Sequence, residues 1–192
     1  DGYVDLQGPN LDSAWGAIDL ALERAIDGDD RIILLITGHH RAGEPPIQRE
    51  RDMHSYARPD EARVTHVALD LRADFEAKVL SGRATLTIER SPGAAEVVLD
   101  TSDLTIDQVT SADGRSLQFA LGEADAVMGR PLTVTLPGDV REIVVSYRTS
   151  PSAAALQWLA SSQTAGRKHP YLYSQGQAIL SRSWIPTQDS PG

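Results

Sequence analysis

From Ala62 to Tyr147 the chain returns to apolar residues at every second position, a period that only an extended strand can use. Thr65, Val67, Leu69, Leu71, Ala73 and Phe75 share one side, against His66, Asp70, Arg72 and Asp74 on the other. Leu80, Gly82, Ala84, Leu86 and Ile88 repeat the pattern against Ser81, Arg83, Thr85, Thr87 and Glu89. Leu117, Phe119 and Leu121 follow, then Leu132, Val134 and Leu136, then Ile143, Val145 and Tyr147. A helical winding of these segments would scatter polar side chains through the core. Turn signals separate the runs: Ser91-Pro92-Gly93, Asp113-Gly114, Gly129-Arg130-Pro131 and Pro137-Gly138. Alternation means burial on one face only, which is the mark of antiparallel sheets. The expectation is a mainly β domain, an antiparallel, saddle-like β-sandwich of two packed or strongly curved sheets.

The first fifty residues obey a different period. Tyr3–Leu6 reads as a short strand. Leu11, Trp15, Ile18, Leu22 and Ile26 then recur at helical spacing, with Ala14, Ala17 and Ala21 on the same side. Asn10 or Asp12 suits the N-cap, and Asp27-Gly28-Asp29 ends the helix. Arg31–Thr37 is a continuous apolar run, suited to a strand covered on both faces. A crossover of this length predicts a short β-α-β unit with parallel strands. The polar, proline-containing stretch from Glu44 to Asp52 is the natural boundary. Two regions result: residues 1–52, an incomplete β-α-β segment with its junction, and residues 53–192, the β domain.

Charge and composition narrow the functional classes. The net charge is −9, with 11 acids against 5 bases in residues 1–52 and 16 against 13 in residues 53–192. Neither part offers the basic surface that a phosphate backbone requires, so no nucleic-acid partner is expected. Cysteine is absent, which removes disulfides and thiolate metal sites. No apolar run approaches the ~20 residues needed to cross a bilayer, so no membrane partner is expected. No charged segment followed by an apolar one marks an export signal. The chain reads as cytoplasmic, with an exported parent left open.

The last forty residues are the most informative. They read Ala155-Leu-Gln-Trp-Leu159, Gln163-Thr-Ala-Gly166, Lys168-His-Pro-Tyr-Leu-Tyr-Ser-Gln-Gly-Gln-Ala178 and Arg182-Ser-Trp-Ile-Pro-Thr-Gln-Asp-Ser-Pro191. With the strands that begin at His54-Ser-Tyr-Ala-Arg-Pro59, this stretch resembles the N-terminal β domain of the aminopeptidase N / leukotriene A(4) hydrolase family of zinc metallopeptidases. The resemblance spans about 140 residues (residues 53–192). Gly176 and Leu180 stand where relatives often carry Cys and His, and Thr187 where Cys is common. In that family a following catalytic domain carries HExxH for zinc and a GxMEN loop for the substrate's amino terminus. Neither motif occurs here, and none of the five histidines is followed by Glu. The resemblance therefore implies a zinc aminopeptidase as parent enzyme, with no cofactor, no metal ligand and no catalytic residue in this stretch. Alone, it is expected to be inactive.

Carried over residue by residue, the family's substrate-binding loop falls on Gln175, Gln177 and Ala178. The implied partner is a peptide substrate, met together with the catalytic domain. A neutral amide can accept from a substrate α-ammonium and donate to a carbonyl without adding charge. On the residues alone, such amides more often satisfy nearby loop backbone. Trp184-Ile-Pro186 and Asp189 are expected to fix the domain junction, Asp189 as a turn or capping residue.

Residues 3–41 resemble part of a Smr domain, through Val4–Gly8, Leu11–Trp15 and Arg31–Gly38. Gln7 replaces that family's histidine, and the second half of the domain is missing. His39 and His40 are adjacent loop residues that point apart, better read as solvated than as metal ligands. Two further readings stay open: a Smr-like nucleic-acid module, which the acidic charge opposes, and a plain β interaction module.

Overall fold

The computed structural model describes residues 32–37, as backbone only, and residues 52–189. The strand Tyr3–Leu6, the helix over Leu11–Ile26, the pair His39-His40 and most of the junction lie outside the described residues.

Ten strands follow in order: β1 (Ile32–Thr37), β2 (Ala62–Asp74), β3 (Val79–Arg90), β4 (Glu96–Thr101), β5 (Thr105–Ser111), β6 (Phe119–Leu121), β7 (Arg130–Thr135), β8 (Glu142–Arg148), β9 (Leu156–Leu159) and β10 (Tyr171–Ser174). Five of them form one sheet in the order β1-β2-β3-β8-β5, three form a second in the order β4-β7-β6, and β9 pairs with β10. Every pairing is antiparallel. Among the described residues no helix is long and apolar enough to cross a membrane.

The alternation turns directly into a core. Leu69, Leu71, Leu80, Ala84, Leu86, Ile88, Val109, Ile143, Val145 and Tyr147 point inward from the larger sheet. Val97, Leu99, Leu132 and Val134 meet them from the smaller one. Each large side chain buried this way contributes roughly 1.5–3 kcal/mol. Leu156, Trp158 and Leu172 of the β9–β10 hairpin pack against the rim of this core, and Trp158 stands edge-on to Phe75 with ring centroids 5.2 Å apart.

Three departures from the sequence pattern have local causes. Phe119 and Leu121, read as core positions, are each 37% exposed, because β6 is a three-residue edge strand. β4 breaks the alternation altogether: Val97 to Thr101 are all buried, since this strand is covered on both faces. Ala178–Leu180, read as a short strand, is a turn that leads into the 3-10 turn Ser181–Ser183.

The run Ile32–Thr37 does form a strand, as its composition suggests. It pairs antiparallel with β2, Ile32 opposite Leu71 and Thr37 opposite His66, and so forms an edge of the larger sheet. Its expected parallel partner, Tyr3–Leu6, is outside the described residues.

One glycine is dictated by packing. Gly82, in β3, has φ of +154°, and a Cβ there would stand 2.1 Å from the carbonyl oxygen of Asp70. Only glycine lets β2 and β3 approach this closely.

Candidate functional site

The β9–β10 hairpin carries the candidate loop. Tyr171 faces Leu159 and Ser174 faces Leu156 across the ladder. The ladder runs one residue further, because Gln175 donates its backbone N–H to Ala155 O at 2.8 Å. The chain then turns: Leu180 N–H reaches back to Gly176 O at 2.8 Å. A Cβ on Gly176 would meet Ser181 Oγ at 2.3 Å, so the absence of a side chain lets the two ends of the turn touch.

Gln175, Gln177 and Ala178 are all exposed. Gln175 Oε1 accepts the Gln177 N–H at 3.2 Å, so one of the two amides serves the backbone of its own loop. Among the described residues the Gln177 side chain makes no hydrogen bond. Its amide is available as donor and acceptor together. The Gln177–Ala178 peptide bond is cis. The three residues carried over from the family thus sit on one short exposed loop.

Immediately behind the loop lies a buried polar hub that the sequence reading did not find. Arg182, in the 3-10 turn, is 1% exposed. Its Nε and backbone N–H donate to Asp189 Oδ2 at 3.2 and 3.1 Å. Nη1 donates to Met128 O at 3.0 Å, and Nη2 to His54 O at 2.7 Å and Asp189 O at 3.0 Å. Its own carbonyl accepts from Ser102 N–H at 2.8 Å. Asp100, at the end of β4, is 0% exposed and lies 3.9 Å from Arg182 Nη1. It accepts from Ser55 Oγ at 2.6 Å, Tyr56 N–H at 2.8 Å and Asp189 N–H at 3.0 Å. Buried charges persist only when paired and hydrogen-bonded, and here each one is. Asp189 is therefore more than a turn residue. A signal was present in the sequence: a lone Arg between Ile179-Leu180 and Trp184-Ile185 must find a counter-charge if that segment is buried.

Two more side chains hold the hairpin and the sheets. Ser183 Oγ accepts Ala155 N–H at 3.0 Å and donates to Leu180 O at 2.7 Å. Gln188 accepts Val64 N–H at 3.0 Å through Oε1, and through Nε2 donates to Ala62 O at 2.8 Å and Val98 O at 3.4 Å. One amide thereby stitches β2 to β4. Tyr147, 1% exposed, donates its hydroxyl to Trp184 O at 2.9 Å, and burial raises its phenol pKa well above the usual value.

Among the described residues no group of three or more His, Cys, Asp or Glu side chains could hold a metal ion. Two surface hollows, around Arg90 and Pro137 and around Leu104 and Arg130, lie away from the loop.

Fold and loop together define an antiparallel β domain that presents neutral amides at its surface. Residues 58–192 match the Peptidase M1 N-terminal domain. The chain is 41% identical over 146 residues to leukotriene A-4 hydrolase of Xenopus laevis, covering 73% of this chain and 24% of that protein. It is 42% identical over 147 residues to leucine aminopeptidase 2 of Yarrowia lipolytica, covering 74% and 22%. The structure of native leukotriene A4 hydrolase from Saccharomyces cerevisiae superposes with a TM-score of 0.68 at 30% identity, over 77% of this chain and 24% of that one. The chain belongs to the M1 family of zinc metallopeptidases, through that family's N-terminal domain. It spans about a quarter of the length of the relatives it matches.

Proposed function

We propose that this chain supplies the part of a zinc aminopeptidase that receives the free amino end of a peptide substrate. The observation that carries the reading is the exposed Gln175–Ala178 loop, anchored at both ends and offering an unpaired Gln177 amide. Gln177 Oε1 accepts from the substrate α-ammonium, and its Nε2 donates to a nearby carbonyl. Gln175 holds the loop backbone, and Ala178 keeps the approach unobstructed. The zinc, which activates water for peptide hydrolysis in such enzymes, is bound by residues outside this chain, and the chain is inactive alone. The start of the family match at residue 58 supports a boundary in the polar stretch before Met53.

The test joins the full 192-residue chain ahead of the unmatched remainder of leucine aminopeptidase 2 from Yarrowia lipolytica. The fusion should release N-terminal leucine from peptides in a zinc-dependent way, and the isolated chain should not. Gln177→Ala in the fusion should lower kcat/KM by the equivalent of ~1–3 kcal/mol, the scale of a hydrogen bond to a charged group. A folded, zinc-loaded fusion without activity, or one indifferent to Gln177→Ala, refutes the reading.

A further inference from the structure

Both ends of the amide loop report to one small element, the 3-10 turn Ser181–Ser183. The upstream end is tied through Ala155, whose carbonyl takes Gln175 N–H and whose N–H goes to Ser183 Oγ. The downstream end is tied through Leu180, which reaches Gly176 O and receives Ser183 Oγ on its own carbonyl. What holds the turn itself is Arg182. Its side chain grips the start of the β domain at His54, the loop before β7 at Met128, and Asp189, by both carboxylate and carbonyl. Asp189 follows Gln188, the residue whose amide joins the two sheets. It is clamped a second time, by Asp100 Oδ2 on its N–H.

We propose that the Arg182–Asp189 pair is a positioning device: it fixes the amide loop relative to the two sheets, through the contacts to His54, Met128 and Asp100. This rests on the reading of Gln177 given above. Arg182 Nε reaches the Asp189 carboxylate and Nη2 the Asp189 carbonyl, so one planar guanidinium holds one residue at two points, unlike a point charge on a flexible stem. The loop and the sheets therefore share one rigid reference. Neither Arg182 nor Asp189 touches substrate, and both act through Gln177.

The test uses the same fusion, with Asp189→Asn and Arg182→Lys. Asp189→Asn keeps hydrogen-bonding capacity but loses the charge, and Arg182→Lys loses the planar two-point hold. Steady-state kinetics are measured well below each variant's unfolding midpoint, so that only folded enzyme is read. The expected result is a KM raised about fivefold with kcat within about twofold, because a sub-ångström displacement of a binding group weakens capture. In a Gln177→Ala background the same substitutions should leave KM within about 1.5-fold, since the group they position is gone. A merely structural role would not produce that non-additivity. Unchanged KM in both variants, an equal rise with and without Gln177, or failure of both variants to fold overturns the proposal. If Gln177→Ala alone leaves KM unchanged, the underlying reading fails and this one with it. If Gln177→Ala raises KM and Asp189→Asn does not, the positioning role alone fails.

Discussion

Arg182→Ala puts the largest single load on the described structure, and its cost can be worked out contact by contact. The substitution deletes side-chain donors to Asp189 Oδ2, Met128 O, His54 O and Asp189 O. Two carboxylates stay behind, Asp100 at 0% and Asp189 at 11% side-chain exposure. Asp100 retains Ser55 Oγ and two backbone N–H groups, so its loss is partial. Asp189 retains only the Arg182 backbone N–H on its carboxylate. Removing one partner of a buried charged pair costs ~3–5 kcal/mol, and the three abandoned carbonyls place this case in the upper half. Against a domain stability of ~5–15 kcal/mol that loss is severe. With an m-value of ~2 kcal/mol per molar urea, the unfolding midpoint should fall by about 2 M at unchanged slope. Circular dichroism during urea titration of the 192-residue chain reads it directly. Arg83→Ala is the internal control. Its exposed pair with Asp70 at 2.8 Å should be worth no more than ~0.5 kcal/mol. A loss below ~1 kcal/mol for Arg182→Ala would show that the hub is open to water and refute the argument.

Other substitutions probe independent parts of the fold. Gly82→Ala should cost ~2–4 kcal/mol, measured by the same titration, because it combines an unfavourable φ with a backbone clash between β2 and β3. Tyr147→Phe should cost ~1–2 kcal/mol at neutral pH by orphaning Trp184 O. The folded phenol titrates above the unfolded one, so the unfolded state releases its proton first and stability falls as pH rises past about 10. Tyr147→Phe should flatten that alkaline slope between pH 9 and 11 (approximate bounds), followed by thermal midpoints.

The sequence disclosed the fold where a strand met water on one side and the core on the other. β3, β7 and β8 alternate cleanly, and their inward residues are the ones buried, whereas a register shift between Val64 and His66 interrupts the pattern in the first half of β2. It failed where that condition lapses. β4 is buried on both faces and shows no period. β5 carries few apolar residues, and a register shift between Ile106 and Gln108 breaks its alternation. The amide loop was legible only through its resemblance to a family, since Gln175 and Gln177 leave no mark in any hydrophobic pattern. The hub was hidden for a different reason. Asp100 lies 89 residues from Asp189 along the chain, and only the assembled sheets bring it into one buried place with Arg182 and Asp189.

Gln188 has a consequence for how such a domain is made. Its amide joins Ala62 and Val64 to Val98 from a position 90 to 126 residues further along the chain, and Asp189 closes the hub one position later. On the ribosome, the strands can emerge and pair in order, but the clasp between the sheets is synthesised after all of them. A nascent chain stalled before this point should remain protease-sensitive, and release of a few more residues from the exit tunnel should lock it.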